Sequence, residues 1–185
     1  MKPPLSKNEL IERFSVEQFK FLFFWGHTEP NENSLTKACF SQWYPSSFEI
    51  EGITYLTAEH YMMAEKARIF GADEIRKKVI ACSDPAYAKK LGRSVPDFDP
   101  NVWNKRSFEI VTQGSFAKFS QNPPLLQFLQ NTGNQILVEA SPPDTIWGIG
   151  LGQDNPKSQD PNLWRGLNLL GFALMVAREQ LQPQQ

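Results

Sequence analysis

The chain has 185 residues, 41% of them hydrophobic and 21% charged, with a formal net charge of −1. That length suits one domain whose core stands without metal or disulfide support, and the composition argues against both a disordered chain and a membrane class. A near-balanced charge offers no global positive field, so bulk nucleic-acid binding is not expected.

The start, Met1 to Asn8, reads as a fraying end. Lys7 to Phe14 is only weakly periodic, and Ser15 with Gln18 has the spacing of a capping box. The run Phe21-Leu-Phe-Phe-Trp25 is too short for a signal core or a membrane span and reads as a buried strand. Cys39 and Cys82 are the only cysteines. They form no CxxC and follow no secretory segment, so two free thiols in a reduced, cytoplasmic setting are expected.

Phe48 to Tyr55 alternates around Glu51-Gly52, the pattern of a tight hairpin. Thr57 is placed to cap a helix over Ala58 to Phe70, with Glu59 in its first turn and Gly71 as its stop. Asp84-Pro85, Asp99-Pro100 and Asp160-Pro161 each pair a capping carboxylate with a first-turn proline and mark three further helix starts. From Pro161, a helix would set Leu163, Leu167, Leu170, Leu174 and Leu181 near one face. Ile136 to Ala140 is β-like and leads into a long loop, Ser141 to Gly152. Gln180 to Gln185 reads as a frayed tail. The fold class expected is α+β, a single helix-rich domain over 1–185 with a few short strands.

The loop offers a carboxylate (Asp144), an indole (Trp147) and three glycines (Gly148, Gly150 and Gly152), the mixture a ligand site needs. An exposed turn anchored by Trp147 fits the same residues, and no P-loop lysine pattern accompanies the glycines. Glu59 complements the positive helix end whether or not it reacts. If it is catalytic, the dipole predicts an ionised group, suited to a base, nucleophile or cation stabiliser. Met62, Met63 and Lys66 follow on its face, and Lys66 is in range of a bound phosphate or of pairing with Glu59 or Glu65. Trp103, Lys105 and Arg106 could stack a base and hold phosphate, although Trp103 equally fits a core stripe with Ile110. His27 and His60 are too few and too scattered, even with the two cysteines, for a zinc site; no metal and no cofactor are expected.

Five stretches carry a more specific signal when taken in order. They are Phe40-Ser-Gln-Trp-Tyr-Pro-Ser-Ser-Phe48, Tyr55-Leu-Thr-Ala-Glu-His-Tyr-Met-Met-Ala-Glu-Lys-Ala67, Trp103-Asn-Lys-Arg106, Asp144-Thr-Ile-Trp-Gly-Ile-Gly150 and Trp164-Arg-Gly-Leu-Asn-Leu-Leu-Gly171. Together they resemble the YbiA-like, or NADAR, family from about Phe21 to Leu181. The resemblance implies an N-glycosidase acting on phosphorylated ribosylamino-pyrimidine intermediates of riboflavin biosynthesis, a small-molecule partner. Other branches act on ADP-ribose joined to guanine. It implies Glu59 and Asp144 as the catalytic carboxylates, with either order of roles, and Trp103, Trp147, Arg106, Lys66, Tyr44, Gly148 and Arg165 as substrate contacts. Two further readings stay open: Lys66 as a Schiff-base nucleophile, and a module that binds ADP-ribose or NAD-derived ligands without turnover.

Overall fold

Local capping chemistry sets most of the helices. A computed structural model describes residues 3–31 and 34–182. In chain order it has α1 (Lys7–Phe14), β1 (Phe21–Phe24), a 3₁₀ turn (Lys37–Phe40), β2 (Phe48–Ile50), β3 (Ile53–Tyr55), α2 (Ala58–Ile69), α3 (Asp73–Ala81), α4 (Pro85–Arg93), α5 (Pro100–Ser120), α6 (Pro123–Asn131), β4 (Ile136–Glu139), 3₁₀ turns at Pro156–Gln159 and Pro161–Leu163, and α7 (Leu169–Gln180). The α+β, helix-rich class is the one expected. Thr57 Oγ1 accepts the His60 N–H (3.4 Å), Asp84 the Ala86 N–H (2.9 Å) and Asp99 the Asn101 N–H (2.7 Å), so three of the proposed starts are made as read.

β2 and β3 pair antiparallel, Phe48 opposite Tyr55. They turn through Glu51 (φ 52°) and Gly52 (φ 76°), the two left-handed residues a tight hairpin requires. β1 and β4 pair parallel from Phe21 opposite Ile136 to Phe24 opposite Glu139. Parallel strands need a long crossover, and α2 through α6 supply it. The core lies where α5 packs on α7 and α2, and where β4 packs on α7; Phe24, Phe40, Phe119, Phe172 and Leu137 are fully buried there. Both cysteines are free thiols. No helix among the described residues is long and apolar enough to cross a membrane.

Several expectations are corrected. Lys7–Phe14 is a helix capped by Ser6, whose Oγ accepts the Glu9 N–H (3.2 Å), and Ser15 is its C-cap rather than a new start. Leu10 is its one buried residue. β1 is a strand, but only Phe24 is buried and Trp25 is 61% exposed. Gln180 closes α7, while the proposed tail at 183–185 lies outside the described residues.

The largest difference is after Asp160. Its carboxylate does accept the Asn162 N–H (2.9 Å), but the helix lasts one 3₁₀ turn. Leu163 and Leu167 are 48% and 49% exposed, and only Leu170 and Leu174 of the leucine stripe are buried, on α7. The cause is main-chain competition. Arg165 and Gly166 N–H groups donate to Ile149 O, and those of Leu167, Asn168, Leu169 and Leu170 donate to the carbonyls of Thr145, Gly148, Ile146 and Trp147. Asn168 is left-handed (φ 56°) and fully buried. Its side chain accepts the Glu139 N–H and donates to Leu137 O, each at 2.9 Å, and so extends the pairing of β4.

Gly166 permits this approach. A Cβ there would collide with the Gly148 carbonyl and lie 2.8 Å from Thr145 Cα. Gly166→Ala is expected to lose about 1–3 kcal/mol of stability, a Tm drop of roughly 2–4 °C per kcal/mol in thermal denaturation.

Candidate active site

The N-terminus of α2 is fixed from two directions. Thr57 caps it, and the Glu59 N–H donates to Gln42 O (2.9 Å), tying α2 to the segment that follows the first 3₁₀ turn. That segment is held from below by Lys118 of α5, which is 1% exposed. Its ammonium donates to the carbonyls of Cys39 (2.7 Å) and Ser41 (2.9 Å). Burial draws its pKa down to about 7. On the opposite side, Asp144 shapes its own loop: Oδ1 accepts the N–H groups of Ile146 (2.9 Å) and Trp147 (2.8 Å), and its carbonyl accepts the Gly150 N–H (2.9 Å).

These elements enclose a cavity of about 810 Å³. α2 contributes Glu59, Met62, Met63 and Lys66, the face read from their spacing. α4 contributes Lys89 and Arg93, the segment before β2 contributes Trp43, the end of β4 contributes Glu139, and the loop contributes Asp144 and Trp147. Trp25 and His27 form part of the wall beyond β1, with the His27 ring 5.5 Å from that of Trp43. His60 is buried elsewhere against Thr57 Oγ1 (2.8 Å). Among the described residues, no group of three His, Cys, Asp or Glu side chains could hold a metal ion.

Three carboxylates and three cations thus share one cavity. Among the described residues none of the six makes an ion pair within 4.0 Å; the pairs present are elsewhere, Glu65 with Arg68 among them. Glu59 is 5% exposed. Burial raises its pKa to about 6 against the pull of Lys89 and the Trp43 indole. Desolvation thus outweighs the helix dipole in setting the proton affinity, yet Glu59 is still mostly ionised at neutral pH, as expected from the sequence. Lys66 is lowered, first by burial and then by Arg93, with Glu59 opposing; its Nζ stands 4.0 Å from the Phe98 ring centroid and 5.9 Å from that of Trp103.

Glu59, Asp144, Lys66 and Trp147 are thus brought together. Trp103 is buried behind Lys66 rather than in the cavity wall. Arg106 is exposed on α5, 3.7 Å from Glu109. Tyr44 packs near Lys118, 5.4 Å from its ammonium. Gly148 is buried against the Glu139 carbonyl, and Arg165 is exposed beside Gly150. Sequence reasoning missed Lys89, Arg93, Glu139 and Trp43. The first two sit four apart after a well-read helix start, and a shared face was available from that spacing alone.

A family model described as the NADAR domain matches residues 23–182. A relative named N-glycosidase R617, from Acanthamoeba polyphaga mimivirus, is 45% identical over 90% of this chain and 99% of its own length. N-glycosidase YbiA of Shigella flexneri is 31% identical over 77% of this chain and 80% of its own. A Vibrio vulnificus protein named riboflavin biosynthesis protein VVA0006 is 34% identical over 83% of this chain but only 37% of its own length. The NMR structure of the E. coli protein YbiA superposes with a TM-score of 0.71 at 27% identity, covering 90% of this chain and 87% of that one.

The raised pKa of Glu59 has a sign that can be tested. Folding favours its protonated form, so the contribution to stability is intact below the ordinary value of 4.5 and is lost as pH rises through about 6. Glu59→Gln removes the charge. The variant is expected to match the parent at low pH and to exceed it by about 2 kcal/mol at neutral pH, measured by denaturant titration at each pH.

Proposed function

Because this chain belongs to the NADAR domain family, we propose that its cavity hydrolyses the C1–N bond of phosphorylated ribosylamino-pyrimidine intermediates of riboflavin biosynthesis, clearing reactive metabolites. The observation that carries the reading is a buried carboxylate, Glu59, sharing a cavity with Asp144 and with three cations that pair with neither. Breaking a C1–N bond develops positive charge on the ribose, and a preorganised carboxylate in a poorly solvated wall stabilises that charge strongly. Glu59 stabilises the cation or activates water; Asp144, locked by its own loop, orients water or the ribose hydroxyls. The N-glycosidase and riboflavin names of the relatives support the same chemistry.

Lys89 and Arg93, one turn apart on α4, are the cations best placed for the sugar phosphate, with Lys66 beside them. Arg106 points elsewhere and is assigned no contact. Trp147 and Trp43 supply aromatic surface for the heterocycle. A second substrate class, ADP-ribose joined to guanine, is favoured by one feature: the cavity is at the large end for small-molecule sites, and its wall continues past Trp43 to His27 and the exposed Trp25.

The test incubates the protein and Glu59→Ala with the ribosylamino-pyrimidine phosphate and with an ADP-ribosyl-guanosine, following release of base and sugar phosphate by chromatography. Cleavage of the first is expected, with kcat falling about 10²–10⁴-fold in Glu59→Ala. Cleavage of the second alone moves the function to reversal of ADP-ribosylation, and cleavage of neither leaves a binding module. Lys89→Met and Arg93→Met are expected to raise KM for the phosphorylated substrate more than they lower kcat.

A further inference from the structure

One carboxyl in the cavity has no part in that reading. Glu139 ends β4, and its main chain is clamped on both sides. Its N–H donates to Asn168 Oδ1 (2.9 Å), and its carbonyl accepts the Ile149 N–H (2.9 Å). Gly148 packs against the same carbonyl so closely that an added Cβ would lie 2.9 Å from it. The side chain therefore starts from a fixed point and lines the cavity. Its Oε2 is sealed from solvent and accepts no hydrogen bond from the protein. An ionised carboxylate with an undonated, unsolvated oxygen is expensive, and the neutral acid relieves the expense. As a purely structural residue Glu139 makes little sense, since a leucine would end the strand without that penalty.

We propose that Glu139 is a third catalytic carboxyl of this cavity, the acid that protonates the departing nitrogen, because a clamped strand end delivers an unpartnered carboxyl to the space shared by Glu59 and Asp144. The inference rests on the N-glycosidase reading. As C1–N breaks, the bonding electron pair goes to nitrogen, which takes the Glu139 proton. Water adds its oxygen to C1 and gives a proton to a carboxylate, with Glu59 the candidate. That proton returns to Glu139 through solvent, and the net reaction consumes one water and frees the amine and the sugar hydroxyl.

The groups around Glu139 support this division. Burial first, and then Asp144 of the loop, push it up to about 8, with Lys89 of α4 opposing and Glu59 of α2 adding. Lys66 and Arg93 complete the charged wall. Glu59 sits lower, at about 6. Two carboxyls on either side of neutrality allow one to hold a proton for donation while the other accepts one.

The test has a titration and a kinetic arm. With ¹³C-labelled glutamate carboxyls, the resonance lost in Glu139→Gln is expected to be protonated still at neutral pH; titration in the ordinary carboxylate range overturns the proposal whatever the substrate. In kinetics, Glu139→Gln is expected to lower kcat on the ribosylamino-pyrimidine phosphate about 10²–10⁴-fold at unchanged KM, and to abolish the alkaline limb of the pH–rate profile. A ribosyl-pyridinium phosphate, whose base leaves without a proton, is expected to lose far less. Equal losses on both compounds, or a retained alkaline limb, overturn the proposal. A variant with full activity overturns it alone, whereas a parent protein that cleaves neither compound overturns the glycosidase reading with it.

Discussion

Two irregular segments, 144–150 and 165–170, are stitched together by main-chain hydrogen bonds, and the cavity depends on that stitching. Apart from the Ile149 N–H, which donates to Glu139 O at the end of β4, and from Leu169 and Leu170, which open α7, neither segment belongs to a strand or helix. Each satisfies its backbone through the other, as buried polar groups must. The missing side chain at Gly166 sets how near the two can come, and Asn168 carries the same bonding on to β4. The positions of Asp144, Trp147 and Glu139 are therefore consequences of one seam, although they lie on a loop and a strand end.

The opposite wall follows a different physical rule. Lys118 is buried under the Cys39–Ser41 carbonyls, and Glu59 is buried at the head of α2, so two ionisable groups are taken out of water on either side of the Gln42 contact. Lys118 recovers part of its hydration from two carbonyl acceptors. Glu59 accepts from the Trp43 indole, yet burial still raises its proton affinity where the helix end would lower it. A group held in that state is poorly suited to stabilising the fold and well suited to meeting a cation that forms only during reaction.

What could be read from the sequence were the features whose partners are close in the chain. Thr57, Asp84 and Asp99 cap amides two or three residues away, and Glu51-Gly52 turns on its own backbone. The leucines from Leu163 to Leu174 kept helical spacing, yet the amides of 165–170 have partners about twenty residues upstream, and no local periodicity reports that. Glu59 was found by its place in a helix and a motif, but its sign of titration depends on burial, a property of the assembled wall. Lys89 and Arg93 were on a correctly begun helix whose inward face only its packing on α2 decides. Glu139 was hidden by its setting, the polar end of an apolar strand, where an outward-facing side chain is the ordinary outcome.

The parallel pairing of β1 with β4 joins residues separated by most of the chain. Contacts of that span form late, because the intervening chain must first be closed into a loop. During synthesis, α2 through α6 leave the ribosome before β4 does, at about 5–20 residues per second. They emerge with Glu59 and Lys66 already in sequence but without the wall that carries Glu139, Asp144 and Trp147. The complete cavity, with Asp144, Trp147 and Glu139 facing Glu59, therefore comes into being only when the segment through Leu170 has been translated and docked.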